Sequence, residues 1–296
     1  MFVTGAGGQL GGYLIEALVR NGDEPRGLGA HAGPGVDVVV DIADESAVER
    51  AVAEMRPRLV IHAAAYTDVD GCERDPDRAM LINADGARNV ARAARASGAW
   101  LLAVSTDFVF PGTGGAPYDE EASPDPISVY GRSKLAGEEA VLGEDDGFAV
   151  ARTAWVYGGA GKHFPRTVLT VLRDRGVMEV VDDEVGSPSF AGDLAEALVA
   201  LSARQPAGTF HLTNEGSTSR HQFAVAVAEA AGLDPSLVRP TTTPEFLARY
   251  PLPAKRPQNS TLVNRRAAEL GVTLRPWREA TMEYVPRLAA ELGMTT

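Results

Sequence analysis

Along the first half of the chain, short runs of aliphatic and β-branched residues alternate with longer stretches of helical periodicity. Phe2-Val3-Thr4 reads as a strand and residues 10–21 as a helix. Residues 36–40 read as a strand, and residues 45–55 as a helix whose apolar positions are Ala47, Val48, Ala51 and Val52. Residues 59–63 and 100–105 show no polar alternation, the pattern of parallel strands covered on both faces. Helices over 79–97 and 129–142 and a strand over 148–151 complete the series. Strand–helix alternation of this kind builds a parallel sheet with right-handed crossovers. The fold class is therefore α/β, a doubly wound, Rossmann-type parallel sheet. After Trp155 the regularity fades into helices over 164–175, 192–203, 222–231 and 276–292, separated by Pro- and Gly-containing loops. That part reads as a smaller, mostly helical C-terminal lobe, with a strand near 209–213 returning to the main sheet.

Composition narrows the function classes. The chain has 296 residues, with 28 Lys+Arg against 40 Asp+Glu and a formal charge of −12, so no electrostatic footprint for nucleic acid is expected. The lone cysteine, Cys72, excludes a disulfide scaffold and a thiolate metal site and reads as a small buried residue. His31, His62, His163, His211 and His221 stand apart, without metal-ligand spacing. No apolar run approaches the ~18 residues of a bilayer span, so no membrane partner is expected. Met1-Phe2-Val3-Thr4-Gly5 leads directly into a motif, which leaves no room for a leader peptide and gives a cytoplasmic expectation.

That motif is Gly5-Ala6-Gly7-Gly8-Gln9-Leu10-Gly11, between the first strand and the first helix. Glycines permit the tight turn and close approach of backbone N–H groups to a pyrophosphate, while the helix N-terminus adds partial positive charge. Residues 1–153 are thus expected to form a dinucleotide-binding domain, and residues 154–296 a substrate lobe. The acidic residue that would hold the ribose 2′-hydroxyl of NAD is missing about 20 positions later. Arg26 and His31 are the nearby cations and are expected to face a 2′-phosphate, making NADPH the expected cofactor, with NADH also acceptable.

Tyr130-Gly131-Arg132-Ser133-Lys134 is a Y-x-x-x-K string at the start of a predicted helix, and i,i+4 spacing puts both side chains on one face. A free phenol titrates at about 10, and a nearby ammonium lowers that value, so the pair is expected to act as a tuned general acid. Thr106 ends the buried strand before it, where ligands bind in open α/β sheets, and its hydroxyl is expected to hold the same substrate oxygen.

The glycine turn, Thr106, Tyr130 and Lys134 together resemble the extended, nucleotide-sugar branch of the short-chain dehydrogenase/reductases. Five further strings, in order, narrow the resemblance to the dTDP-4-dehydrorhamnose reductase family. They are Ala65-Tyr66-Thr67-Asp68-Val69-Asp70, Ser105-Thr106-Asp107-Phe108-Val109-Phe110, the stretch PISVYGRSKLAGE at 126–138, Arg152-Thr153-Ala154-Trp155-Val156-Tyr157, and Lys255-Arg256-Pro257-Gln258-Asn259-Ser260. The resemblance implies NAD(P)H-dependent reduction of the C4 ketone of a dTDP-linked 4-keto-6-deoxyhexose. It places Gly5, Gly8, Gln9, Leu10 and Gly11 at the cofactor phosphates, Asp41 and Ile42 at the adenine, and Ala63, Ala64, Ala65 and Tyr66 at the nicotinamide. Thr106, Tyr130 and Lys134 carry the chemistry, Tyr130 and Lys134 also touching the cofactor. Val69, Asp107 and Trp155 face the sugar, and Arg256 meets the diphosphate. Read without the resemblance, Trp155 is core packing, Asp107 a turn cap, Arg256 the partner of a surface acid, and Asp41 a helix cap.

Two departures stand out. The family string Q-x-G-x-P-T appears as Glu184-Val185-Gly186-Ser187-Pro188-Ser189, with a carboxylate in place of an amide. Some members hold Mg²⁺ at a dimer interface, but only Glu16 matches loosely, so no metal is expected, while a homodimer stays open. The alternative readings are an epimerase or dehydratase on the same fold, or a non-catalytic, dinucleotide-binding regulatory subunit. Dehydratases of the superfamily carry Asp-Glu after the threonine, and here Asp107 is followed by Phe108.

Overall fold

Seven strands lie side by side and run the same way in the computed structural model, which describes residues 1–294. β1 (Phe2–Thr4) is flanked by β2 (Arg26–Gly29) and then β3 (Val38–Val39) on one side. On the other side lie β4 (Leu59–His62), β5 (Trp100–Thr106) and β6 (Ala149–Thr153), and Gly208–His211 adds a last strand outside β6. The strand order reverses between β1 and β4, so the crevice at their carboxyl ends is the place where such sheets take ligands. β3 is shorter than the hydrophobic run because its start is still a turn. Val36 N–H donates to the Gly33 carbonyl, and Asp37 accepts from Gly27 N–H at 2.8 Å.

Successive strand residues point to opposite faces, which explains why these strands read as unbroken apolar runs. Val3, Leu59, Ile61 and Leu102 pack under α1 (Gln9–Arg20) and helix Ala191–Ser202. Phe2, Val60, Leu101 and Ala103 pack under α2 (Glu45–Met55) and the helices Gly86–Ala96 and Val129–Glu144. A third core joins Leu169, Phe223 and Val285 from helices Phe164–Arg175, Arg220–Ala230 and Trp277–Glu291. Two short parallel strands, Met178–Val181 and Val238–Thr241, lie beside it. Among the described residues no helix is long and apolar enough to cross a membrane.

The continuous helix expected over 79–97 is instead Pro76–Met80, a π turn at Leu81–Asp85, and Gly86–Ala96. The wider turn carries Asn83, whose buried side chain has partners on two other segments. π turns inside helices often mark such functional positions.

Helix Val129–Glu144 is tied to β6 by an ion pair inside the protein. Arg152 donates to Glu138 through Nε at 3.0 and 3.1 Å and through Nη2 at 2.6 Å, with both side chains about 95% buried (6% and 3% exposed). Removing one partner leaves an uncompensated charge in the interior. Glu138→Ala is therefore expected to lower unfolding stability by about 3–5 kcal/mol. Denaturant titration of the variant checks this.

Candidate active site

The β1–α1 turn is built on close backbone approach. Gly5 has φ +71°, and a Cβ there would lie 2.7 Å from the Ala64 nitrogen. A Cβ on Gly11 would lie 2.1 Å from the Gly5 carbonyl oxygen. Gly8 caps α1 without a side-chain hydrogen bond, and the first turn holds no acidic residue. The first N–H groups of a helix have no partner within it, and here no side chain cancels the positive end of its dipole. This end suits a pyrophosphate. Gln9 reaches across to the Val156 carbonyl at 3.4 Å, and Leu10 is half-buried beneath the turn.

The loop after β4 lies beside this turn. Ala63 N–H donates to the Thr4 carbonyl and Ala64 N–H to the Thr4 hydroxyl, which also pairs with His62 Nδ1 at 2.7 Å. Burial lowers the His62 pKa to about 3, so the ring stays neutral. Asn83 holds the end of the loop. Its Oδ1 accepts from Tyr66 N–H at 2.7 Å, and its Nδ2 donates to the Tyr66 carbonyl and to Ser133 Oγ. One side chain thus joins the loop 63–66 to the residue before Lys134. Ile42 is buried against Gly86, while Asp41 is exposed and accepts from Ala43 N–H. Asp44, not Asp41, caps α2, because its side chain accepts from Ala47 N–H.

Arg26 is placed differently from its sequence expectation. It opens β2, opposite Phe2 of β1, so it stands at the amino edge of the sheet, away from the carboxyl-end crevice. There it pairs with Asp37 at 3.4 Å. His31 follows the carboxyl end of β2 and is exposed.

Tyr130 comes beside Thr106 at the carboxyl end of β5, and Lys134, one turn along the same helix, reaches Val104 of that strand. Ser128 caps the helix by accepting from Gly131 N–H, and Glu73 Oε1 accepts from Val129 N–H at 2.7 Å. A Cβ on Gly131 would lie 2.2 Å from the Phe108 carbonyl oxygen, so glycine lets the first helical turn close onto the strand end. Phe108 meets the Tyr130 ring edge-on at 5.4 Å. Val69 and Cys72 pack in the same small cluster with Tyr130.

The electrostatics differ from an acidified phenol. Burial pushes the Tyr130 pKa above its ordinary value, with hydrogen bonding to Thr106 pulling the other way. Lys134 Nζ donates to the Val104 carbonyl at 2.9 Å, and burial lowers its pKa to about 8 against the opposing charge of Glu138. The lysine is bonded to the strand backbone and is not among the groups that shift the phenol. Burial also raises Asp107 to about 6, opposed by hydrogen bonds from Ser260 and Thr106. The buried Ser105 hydroxyl, one residue before Thr106, and the buried Thr153 hydroxyl have no partner among the described residues.

Past β6 the chain turns sharply at Trp155, a non-glycine residue at φ +45°, where a bulky side chain is strained. Its indole lies against Gly186, where a Cβ would come within 2.4 Å of the ring. The Arg220 guanidinium sits 3.5 Å above the same ring. Glu184 approaches Arg220 Nε at 3.8 Å, and burial raises its pKa against the attraction of that cation. A cavity of about 660 Å³ opens beyond, lined by Phe164, Val180, Glu184, Arg220, Phe246 and Arg256 among others. Arg256 is already engaged: its Nη2 and Nη1 meet Asp70 at 2.7 and 3.4 Å, and Nη1 also donates to the Ala254 carbonyl. Arg256, expected at the diphosphate, lines this cavity but stands paired with an acid, which occupies a donor on each end of its fork.

Asn83, Ser260 and Arg220 were not singled out from the sequence. Each acts across more than 30 positions, on Ser133, Asp107 and Glu184. No local spacing announces such a contact.

The family model described as the RmlD substrate binding domain matches residues 1–290. The chain belongs to this family. A dTDP-4-dehydrorhamnose reductase of Streptomyces griseus is 44% identical over 98% of this chain and 94% of its own. The crystal structure of a dTDP-4-dehydrorhamnose reductase from Clostridium acetobutylicum superposes with a TM-score of 0.88 at 36% identity, covering 97% of this chain and 98% of that one. The enzyme of the same name from Bacillus anthracis, solved in complex with NADP, gives 0.87 at 36% identity over 96% and 97%.

The closeness of Gly11 to Gly5 makes a sharp test of the turn. Gly11→Ala is expected to weaken dinucleotide binding at least about tenfold, because its Cβ forces the two backbones apart. Fluorescence titration with NADPH measures the change.

Proposed function

We propose that this chain reduces the C4 ketone of a dTDP-linked 4-keto-6-deoxyhexose with NADPH, NADH also being accepted. The reading rests above all on the Thr106 hydroxyl beside the Tyr130 phenol at the carboxyl end of β5, with the Lys134 ammonium bonded to Val104 two residues back on that strand, in a chain of this family. The uncapped start of α1 and the glycine turn suit a dinucleotide pyrophosphate. Gly29-Ala30-His31 at the end of β2 offers no carboxylate to repel a 2′-phosphate.

When bound, the dinucleotide supplies the hydride. The protein supplies the proton and the geometry. Tyr130, kept protonated by its burial, gives its phenolic proton to the oxygen that becomes the new hydroxyl. Thr106 holds that oxygen by a hydrogen bond and steadies the phenol. Lys134 supplies the positive charge that favours the phenolate left behind. Asn83 and Gly131 fix the distances between loop, strand and helix. Phe108 stands where a dehydratase of the superfamily carries its second carboxylate, which favours reduction over elimination.

Two measurements test this. Tyr130→Phe is expected to lower keto-sugar-dependent NADPH consumption by at least about 100-fold while leaving NADPH affinity within a factor of two or so. Near-normal turnover of that variant excludes the phenol as donor. Lys134, lowered to about 8, is charged below that pH and neutral above it. Turnover is therefore expected to fall as pH rises through about 8, and this limb should vanish in Lys134→Met, whose rate is low throughout.

A further inference from the structure

Among the arginines of the large cavity, Arg256 and Arg220 are in opposite situations. Arg256 has both terminal nitrogens committed to protein oxygens. Arg220 meets Glu184 only through Nε at 3.8 Å, and among the described residues neither of its terminal nitrogens has a hydrogen-bond partner. Yet Arg220 is well buried, with 21% of its side chain exposed, and is clamped in place. Its guanidinium lies 3.5 Å above the Trp155 ring and 5.4 Å from that of Phe164. Its backbone N–H donates to the Glu184 carbonyl at 3.0 Å, and Thr218–Ser219 just before it pairs antiparallel with Val185–Gly186. An immobilised guanidinium with an unclaimed fork is preorganised for an anion with several oxygens.

Its position indicates which anion. On one side Arg220 covers Trp155 and is close enough to Asp107 for the two charges to act on each other. Asp107 is bonded to Thr106, so this side is the reacting end. On the other side Arg220 lines the cavity, whose apolar walls include Val180, Phe246 and Leu252. A substrate with its ketone at Thr106 and Tyr130 and its nucleoside in the cavity must carry its two phosphates past Arg220. Lys162 and Lys255 also line the cavity but are exposed, and neither is placed at the reacting end.

We infer that Arg220, stacked on Trp155 and oriented by Glu184, is the residue that grips the diphosphate of the nucleotide sugar in this chain. This rests on the nucleotide-sugar reading above. Glu184 has a defined part in it. The carboxylate turns the guanidinium through Nε and leaves the two terminal nitrogens to the phosphates. It also raises the need for the arginine, since without Arg220 an anionic ligand would face Glu184 and Asp107 with only Arg256, itself paired to Asp70, nearby.

The test uses dTDP and thymidine as probes, titrated calorimetrically into the full chain. Arg220→Met keeps the length and the stacking over Trp155 but removes the charge. It is expected to weaken dTDP binding by about 10- to 100-fold and to leave thymidine binding within about twofold. In turnover, KM for the nucleotide sugar should rise more than kcat falls, with KM for NADPH unchanged. Adding Glu184→Gln to Arg220→Met should restore part of the lost dTDP affinity, because the uncompensated carboxylate goes with it. Should the methionine variant fail to fold, Arg220→Lys serves instead, retaining the charge but losing the fork and at least about fivefold of the dTDP affinity. Unchanged dTDP binding in a folded variant, or equal losses for dTDP and thymidine, would overturn the assignment of Arg220 alone. Failure of the unaltered chain to bind dTDP would overturn it together with the nucleotide-sugar reading.

Discussion

The site depends on a close approach between the first turn of helix Val129–Glu144 and the segment that leaves the carboxyl end of β5. Gly131 sits so near the Phe108 carbonyl that any side chain would push the helix away. Lys134 Nζ, one turn further on, is bonded to the Val104 carbonyl of the same strand. At the next turn Glu138 is bonded to Arg152 of β6. Helix and sheet are therefore joined at three successive levels, by steric fit, by a charged hydrogen bond and by an ion pair. The phenol of Tyr130 has little freedom relative to Thr106. A displacement of an ångström between reacting groups is costly in catalysis, and this stitching resists it.

Burial serves the same arrangement. A phenol raised above its ordinary pKa stays protonated across the physiological range, which suits a donor. Its difficulty comes after transfer, when a phenolate must be tolerated in the same buried place. In the proposed mechanism Lys134 answers that need, and its own lowered pKa reflects the cost of keeping an ammonium there. Glu138 opposes that cost from one turn away, so the ion pair that fastens the helix also favours the charge on the lysine.

Much of the fold was legible in the sequence because its signals are local. Unbroken apolar runs such as Leu59–His62 follow from burial on both faces, and Tyr130 and Lys134 share a face by helical geometry alone. The glycine turn is legible for the same reason, since positions 5, 8 and 11 are neighbours in chain and space. The π turn at Leu81–Asp85 was not legible: its use is to aim Asn83 at Tyr66 and Ser133, and the latter is 50 residues away. Arg26 shows the opposite failure. Counting residues from the glycine turn brought it near the ribose, but strand direction puts it at the other edge of the sheet. Tyr130 was expected to be acidified because sequence spacing reports which charges are near and nothing about how much water is removed. Desolvation outweighs the neighbours here.

The charges around Trp155 carry the same lesson into recognition. Glu184, met in a string where an amide is usual, looks by itself like a defect in a site for anions. With Arg220 beside it, the carboxylate becomes a means of orienting a guanidinium, and the pair has to be read as one group. Arg256, the expected cation, is held by Asp70 and so serves to anchor residues 254–256 against helix Val69–Arg74, which follows the loop 63–66. A positive residue in a cavity is available to a ligand only in proportion to the donors that the protein leaves unclaimed. By that measure, the strained turn at Trp155, which brings its indole under Arg220, does as much to define this site as the glycine turn does at the other end.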